Sequence, residues 1–218
     1  MFSVYLSPSQ QRHNKGVGNY GTENVRMQQI AYWAAKKLTD LWVTVYVAPA
    51  SWSQLPESEY LARVVAASNS LHADAHVAIH SNAGPTGADG TDTFYYGGSA
   101  KGRKLAIALQ NAVAPVSPGS DSGIHAKSGW AELDRITGPS ALIEVAYHTD
   151  KADAASVVKD PKAYGDALAE GIINFLGVSK PTSKVPLQAK VVRGLFKKLP
   201  TKWQKWVIKW APKWRSES

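Results

Sequence analysis

The sequence predicts an α/β fold: a mostly parallel twisted sheet flanked by helices, followed by a C-terminal basic amphipathic helical tail. Three observations carry this reading. Short apolar runs alternate with longer segments whose apolar residues recur at helical spacing, the pattern of strands joined by crossover helices. One late run, residues 141–147, is apolar almost throughout, as a central strand covered on both faces requires. The charge is also segregated. Residues 1–179 hold 14 Lys/Arg against 16 Asp/Glu, whereas residues 180–218 hold 11 Lys/Arg against Glu217 alone. The formal net charge of +8 therefore belongs to the last segment.

Each element follows from its residues. Residues 4–7 form a short apolar strand, and a Pro/Ser/Asn/Gly loop runs from there to Gly21. Thr22 is placed to cap a helix, with Glu23 in its first turn, where the dipole favours negative charge. Met27, Ile30, Ala31, Ala34, Ala35 and Leu38 form that helix's apolar stripe. Residues 43–48 are a second strand. Tyr60, Leu61, Val64, Val65 and Ser68 mark a second helix. Residues 75–80 are a buried strand, 93–96 another, and 105–113 a helix. Residues 164–176 form the last helix of the body, stopped by Gly177. Pro118, Gly119, Ser120 and Gly123 make the segment around His125 an exposed loop.

Composition narrows the function. At 218 residues the chain can bury a real core, roughly 70% of its unfolded surface. With no cysteine there is no disulfide framework, thiol nucleophile or thiolate metal site. No run of 18 apolar residues is present. Residues 1–6 have no basic or long apolar region, so no signal peptide is expected. Gly97-Gly98 and Gly16-Val17-Gly18 lack the strand–turn–helix setting of a phosphate-binding loop.

Two polar residues interrupt apolar strands near their C-terminal ends, where open α/β sheets bind ligands: His80 and Glu144. A carboxylate in so apolar a run must be paired, metal-bound or protonated. His72, His76 and His80 suggest a metal cluster. On a strand, however, His76 and His80 lie about 13 Å apart, too far for one ion, so His72 and His76 read as surface or core residues. Asn82 either meets a ligand or closes the strand end. Trp130, Glu132 and Arg135 flank the loop before the late strand, and Arg135 either meets an acidic ligand or is surface charge.

The order of these features resembles the zinc-dependent N-acetylmuramoyl-L-alanine amidases, the group called amidase type 3. The matching features are the opening strand with its Asn14–Gly18 loop, Glu23 at the start of a helix, Ile79-His80-Ser81-Asn82, and Leu142-Ile143-Glu144-Val145. The resemblance covers residues 2–177. It implies one Zn2+ ion, with Glu23 and His80 as ligands and Glu144 as general base. The chain departs from the family at the remaining ligand, since Gln10 falls where a histidine is usual, and glutamine is a poor zinc ligand. Either His148, four residues after Glu144, or His13 can take that place, and His148 is favoured because its setting resembles a subgroup that opens on Ser-Pro-Ser. The implied reaction is hydrolysis of the amide joining N-acetylmuramic acid to L-alanine in peptidoglycan.

The expected organisation is a catalytic domain over 1–178, a polar, proline-punctuated linker over 179–186, and a basic Trp-rich segment over 187–218. In that segment Leu187, Val191, Val192, Leu195, Phe196 and Leu199 recur at helical spacing, and after Pro200 so do Trp203, Trp206, Val207 and Trp210. Basic helices with aromatic apolar faces bind anionic interfaces. The expected partners are therefore peptidoglycan and an anionic envelope, whether membrane lipid, lipopolysaccharide or teichoic acid. The stripe is more regular than phosphate contacts to nucleic acid need. A monomer is expected, made in a bacterial host's cytoplasm and acting on the wall after release, as in a phage endolysin. The competing readings are another zinc hydrolase, or a non-catalytic or membrane-active protein whose tail carries the activity.

Overall fold

The structure, a computed structural model, describes residues 2–178. The expected linker 179–186 and basic segment 187–218 lie outside the described residues. The strands are β1 (Ser3–Pro8), β2 (Thr44–Val47), β3 (Ala75–Asn82), β4 (Thr91–Tyr96), β5 (Asp121–Lys127) and β6 (Ser140–Tyr147). The helices are α1 (Glu23–Asp40), α2 (Glu57–Ser70), α3 (Ala100–Val113), α4 (Ala131–Asp134), α5 (Lys151–Lys159) and α6 (Pro161–Leu176).

One six-stranded sheet has the order β2-β1-β3-β6-β4-β5. Its pairings are parallel except for β4 against β6. The exception has a simple cause. A parallel return needs a crossover of a dozen or more residues, and the segment between β3 and β4 is only residues 83–90. The strand over 121–127, where the sequence suggests a loop, lies at the sheet edge and is largely exposed. An edge strand paired on one side needs no apolar run, so its turn-rich composition hid it. At α1, Thr22 is the N-cap residue, but its hydroxyl donates to Asn24 Oδ1 and caps no backbone N–H. Gly177 ends α6 in the left-handed conformation, at φ +66°.

Helices α1, α3 and α6 cover one face of the sheet, packing Ile30, Leu109 and Leu168 onto Leu6, Val77 and Ile143. Helix α6 sits against both neighbours through glycine. A Cβ at Gly165 would come within 2.7 Å of Ile30 O, and one at Gly171 within 2.8 Å of Ala108 O. The other face is covered more thinly. Tyr60 and Val64 of α2 pack on Tyr5, and Leu133 of α4 packs on Ala78 and Leu142. That thin cover leaves the C-terminal ends of β1, β3 and β6 open to a cleft.

Candidate active site

The register of the sheet builds the centre of the site. His80 of β3 pairs with Glu144 of β6, and Glu144 pairs with Asp92 of β4. Three ionisable side chains thus stand on one rung of neighbouring strands. The preceding rung on that face is Ala78, Leu142 and Phe94, packed under Leu133 and Trp130. The carboxyl of Glu144 therefore has an apolar floor, and its Oε2 is buried without a hydrogen-bond partner. Burial, opposed by the charge of His80 and reinforced by those of Glu23 and Asp92, pushes Glu144 up to about 7. Asp92 is itself held by Asn82 Nδ2, the Tyr147 hydroxyl and the His125 ring, whose Nε2 is 3.2 Å from Asp92 Oδ1.

Glu23 reaches this rung from the start of α1. It is 1% exposed, and its Oε1 lies 3.0 Å from His80 Nδ1. Asn14 Nδ2 donates to its Oε2 at 2.8 Å and the Ser81 N–H to its Oε1 at 3.3 Å. Burial opposes charge on Glu23, but hydrogen bonds from His80, Ser9 and Asn14, with the His80 charge, hold it below the ordinary carboxylate range. Burial likewise opposes charge on His80, and the Glu23 hydrogen bond with the charges of Glu144 and Glu23 raises it to about 9.

His148, just past β6, is 3% exposed. Its Nδ1 lies 2.9 Å from Ser81 O and 3.0 Å from Ser81 Oγ, and its ring packs against Tyr20. A carbonyl can only accept, so Nδ1 carries a proton, which in the neutral imidazole places the lone pair on Nε2. His13 is exposed in the loop between β1 and α1, on the wall of the cleft. Gln10 lies at the end of β1, where its Nε2 donates to Pro8 O at 3.1 Å and its Oε1 is buried without a partner.

A second buried pair went unread in the sequence. His76 Nε2 is 3.1 Å from Glu132 Oε1, at 0% and 4% side-chain exposure, and His76 Nδ1 meets Ser68 Oγ. His76 is thus a core residue, bonded to Glu132 and stacked on Tyr5. His72 lies in an exposed turn. Asn82 closes the strand end: its carbonyl accepts from the His148 N–H and its Oδ1 from the Ala83 N–H. The weight of Asp92 could be read only from the register, because nothing in the sequence pairs β4 with β6. The buried polarity of Glu132 has a weak signal, a carboxylate next to the apolar Leu133 within Trp130-Ala131-Glu132-Leu133.

Two cavities of about 590 and 540 Å³ meet at His80 and Glu132. One is walled by Gln10, Arg12, His13 and Asn14, the other by Trp130, Arg135, Leu142 and Glu144. Lys127 Nζ lies 5.0 Å above the Trp130 ring. Two donors fit one metal ion as they stand. Ligand atoms on a tetrahedral zinc with bonds near 2.05 Å are about 3.3 Å apart, and Glu23 Oε1 and His80 Nδ1 are 3.0 Å apart. Among the described residues no group of three or more His, Asp or Glu is gathered around a common point that could hold a metal. The structure brings together Glu23, His80 and Glu144, then, and links His148 to them through Ser81.

A family model for N-acetylmuramoyl-L-alanine amidase matches residues 4–176. Among solved structures, the chain is similar to the catalytic domain of CwlV, an N-acetylmuramoyl-L-alanine amidase from Bacillus (Paenibacillus) polymyxa var. colistinus, at 21% identity and TM-score 0.73, covering 82% of this chain and 100% of that one. It is similar to an N-acetylmuramoyl-L-alanine amidase from Clostridium difficile 630 at 23% identity and TM-score 0.71, covering 81% and 97%. It also resembles the catalytic domain of the CD27L endolysin targeting Clostridia difficile, at 18% identity and TM-score 0.67, covering 80% and 98%. No curated protein matches the sequence.

Proposed function

The chain belongs to the N-acetylmuramoyl-L-alanine amidase family, and from that premise we propose that it is a zinc-dependent peptidoglycan hydrolase with Glu144 as general base. One observation carries the assignment of Glu144. Its buried carboxyl oxygen has no partner, at the open end of the sheet, beside the Glu23–His80 pair. A group poised near neutrality with a free oxygen can take a proton and return it.

The proposed metal donors are Glu23, His80 and His148. In support, the first two stand at ligand-to-ligand separation. His148 donates Nδ1 to a backbone carbonyl, the bond by which metal-binding imidazoles commonly fix their tautomer and free Nε2. The same residue, Ser81, gives its N–H to Glu23 and its carbonyl to His148, so one peptide segment orients both. Bound zinc would supply Lewis-acid polarisation of the scissile carbonyl and a water acidic near neutral pH.

The remaining steps belong to the protein. Glu144 accepts the proton of the attacking water and delivers it to the L-alanine nitrogen as the C–N bond breaks. Asp92 and the apolar rung beneath keep that carboxyl from ionising too readily. The cleft beside Trp130 and Arg135 offers an aromatic face and a cation for the muramoyl peptide and its carboxylates. The segment 187–218 is proposed to hold the enzyme to an anionic envelope.

Purified walls and a soluble muramoyl peptide test this reading, with metal content measured alongside. The expected result is about one zinc per chain and release of a new L-alanine amine by the wild type. Glu144→Gln should keep zinc and release none. A chain that binds no zinc and frees no amine overturns the proposal.

A further inference from the structure

Two side-chain atoms among the described residues are buried acceptors with nothing to accept from: Glu144 Oε2 and Gln10 Oε1. The first is the base. The second has no task in the chemistry above, and a buried polar atom without a partner calls for a physical account. Its orientation is not arbitrary. Gln10 Nε2 donates to Pro8 O at 3.1 Å. Turning the amide over would set its oxygen against the Pro8 carbonyl, so the lone pairs are committed to the other side. Gln10 and His80 line the same cavity.

We infer that Gln10 Oε1 is a substrate-binding acceptor that takes an amide N–H of the peptide stem next to the scissile bond. The inference rests on the amidase reading and deepens it. A neutral amide oxygen is a weak donor for zinc beside imidazole and carboxylate, but a normal partner for N–H. The bond to be cut is an amide, and each stem residue adds another, so an acceptor carried by a residue that lines the His80 cavity meets such donors. In the free protein the oxygen carries a desolvation penalty that a bound N–H removes. The same position thereby gains selectivity, because a ligand lacking the N–H leaves the acceptor unpaired.

The test uses the full chain in a Glu144→Gln background, so that a soluble N-acetylmuramoyl-L-alanyl-D-isoglutamine probe is bound but not cut. Calorimetry compares Gln10 with Gln10→Met, which keeps length and loses the amide, and with Gln10→Asn, which keeps the amide and draws it back. Roughly tenfold weaker probe binding in both variants is expected, with zinc content and zinc affinity unchanged and thermal unfolding still cooperative. With Glu144 restored, KM should rise more than kcat falls. Unchanged probe binding in a folded Gln10→Met chain overturns the inference. So does loss of zinc affinity in that variant, which would make Gln10 a metal ligand. If Gln10→Met does not fold, Gln10→Asn decides by the same two readouts. A chain with Gln10 intact that neither binds the probe nor, with Glu144 present, frees L-alanine would instead defeat the amidase reading itself.

Discussion

Glu144 and His80 face each other across one rung of the sheet, and their shifted titrations make opposite contributions to stability. In metal-free protein the folded Glu144 holds its proton up to about pH 7, whereas the unfolded chain loses it near 4.5. The native state binds the extra proton across that window, so this group's contribution falls as pH rises from 4.5 to 7 and stays unfavourable above it. Glu144→Gln removes the penalty. Its metal-free form should be more stable than wild type by a few kcal/mol at pH 8 and nearly equal at pH 4, even though activity falls by at least about a hundredfold. His80 is raised from 6.5 to about 9, so its pairing with Glu23 supports the fold fully below 6.5 and is lost as pH rises toward 9. Glu23 is lowered, so its share is lost as pH falls below the ordinary carboxylate range. Melting curves of chelator-treated wild type from pH 4 to 9 should therefore be highest near pH 4.5 and decline as pH rises toward 9. The His80→Ala variant should lack the loss above pH 6.5 and fail to retain zinc.

Helix α6 makes a prediction at the scale of elements. It packs between α1 and α3, and its backbone comes close to theirs at Gly165 and Gly171. Gly171→Ala places a methyl 2.8 Å from Ala108 O and 2.9 Å from Leu109 Cα, neither of which is the tip of a flexible side chain. We expect a loss of about 1–3 kcal/mol, seen as a melting temperature lower by several degrees, with metal content unchanged because the site lies at the strand ends. Where α5 and α6 begin, Asp150 accepts from Ala152 N and Asp153 N, and Asp160 from Ala163 N. Asp150→Ala should cost about 1 kcal/mol in the same measurement. It also bears on the site, because α5 carries Asp153, which is fully buried and binds the Gly90 and Tyr147 N–H groups at the ends of β4 and β6.

For the molecule as a whole the separable quantity is charge. The body is close to neutral and residues 180–218 are strongly basic. If those residues hold the enzyme to an anionic surface, replacing Lys202, Lys205 and Lys209 with glutamine should weaken binding to vesicles rich in anionic lipid. At about 1 kcal/mol per lysine, the loss is on the order of a hundredfold at low salt. The wild-type advantage should shrink as salt rises. Hydrolysis of a soluble muramoyl peptide should not change. Equal vesicle binding by wild type and triple variant would remove the envelope-binding role from this segment.

How much was legible follows from what periodicity and composition encode. The helical stripe from Met27 to Leu38, the apolar runs of β3 and β6, and a histidine and a glutamate set near their ends were plain along the chain, because burial stamps its period on the sequence. The edge strand β5 was hidden, since one-sided pairing demands little of its residues. The rung joining His80, Glu144 and Asp92, the His76–Glu132 pair and the stranded oxygen of Gln10 were not legible. Each depends on which strands become neighbours and in what register, and the antiparallel turn of β4 onto β6 places Asp92 beside Glu144. Residue type and local spacing thus specified the elements and nominated the chemical groups. Tertiary packing decided which carboxylates share a low-dielectric rung, and so which one is left free to carry a proton.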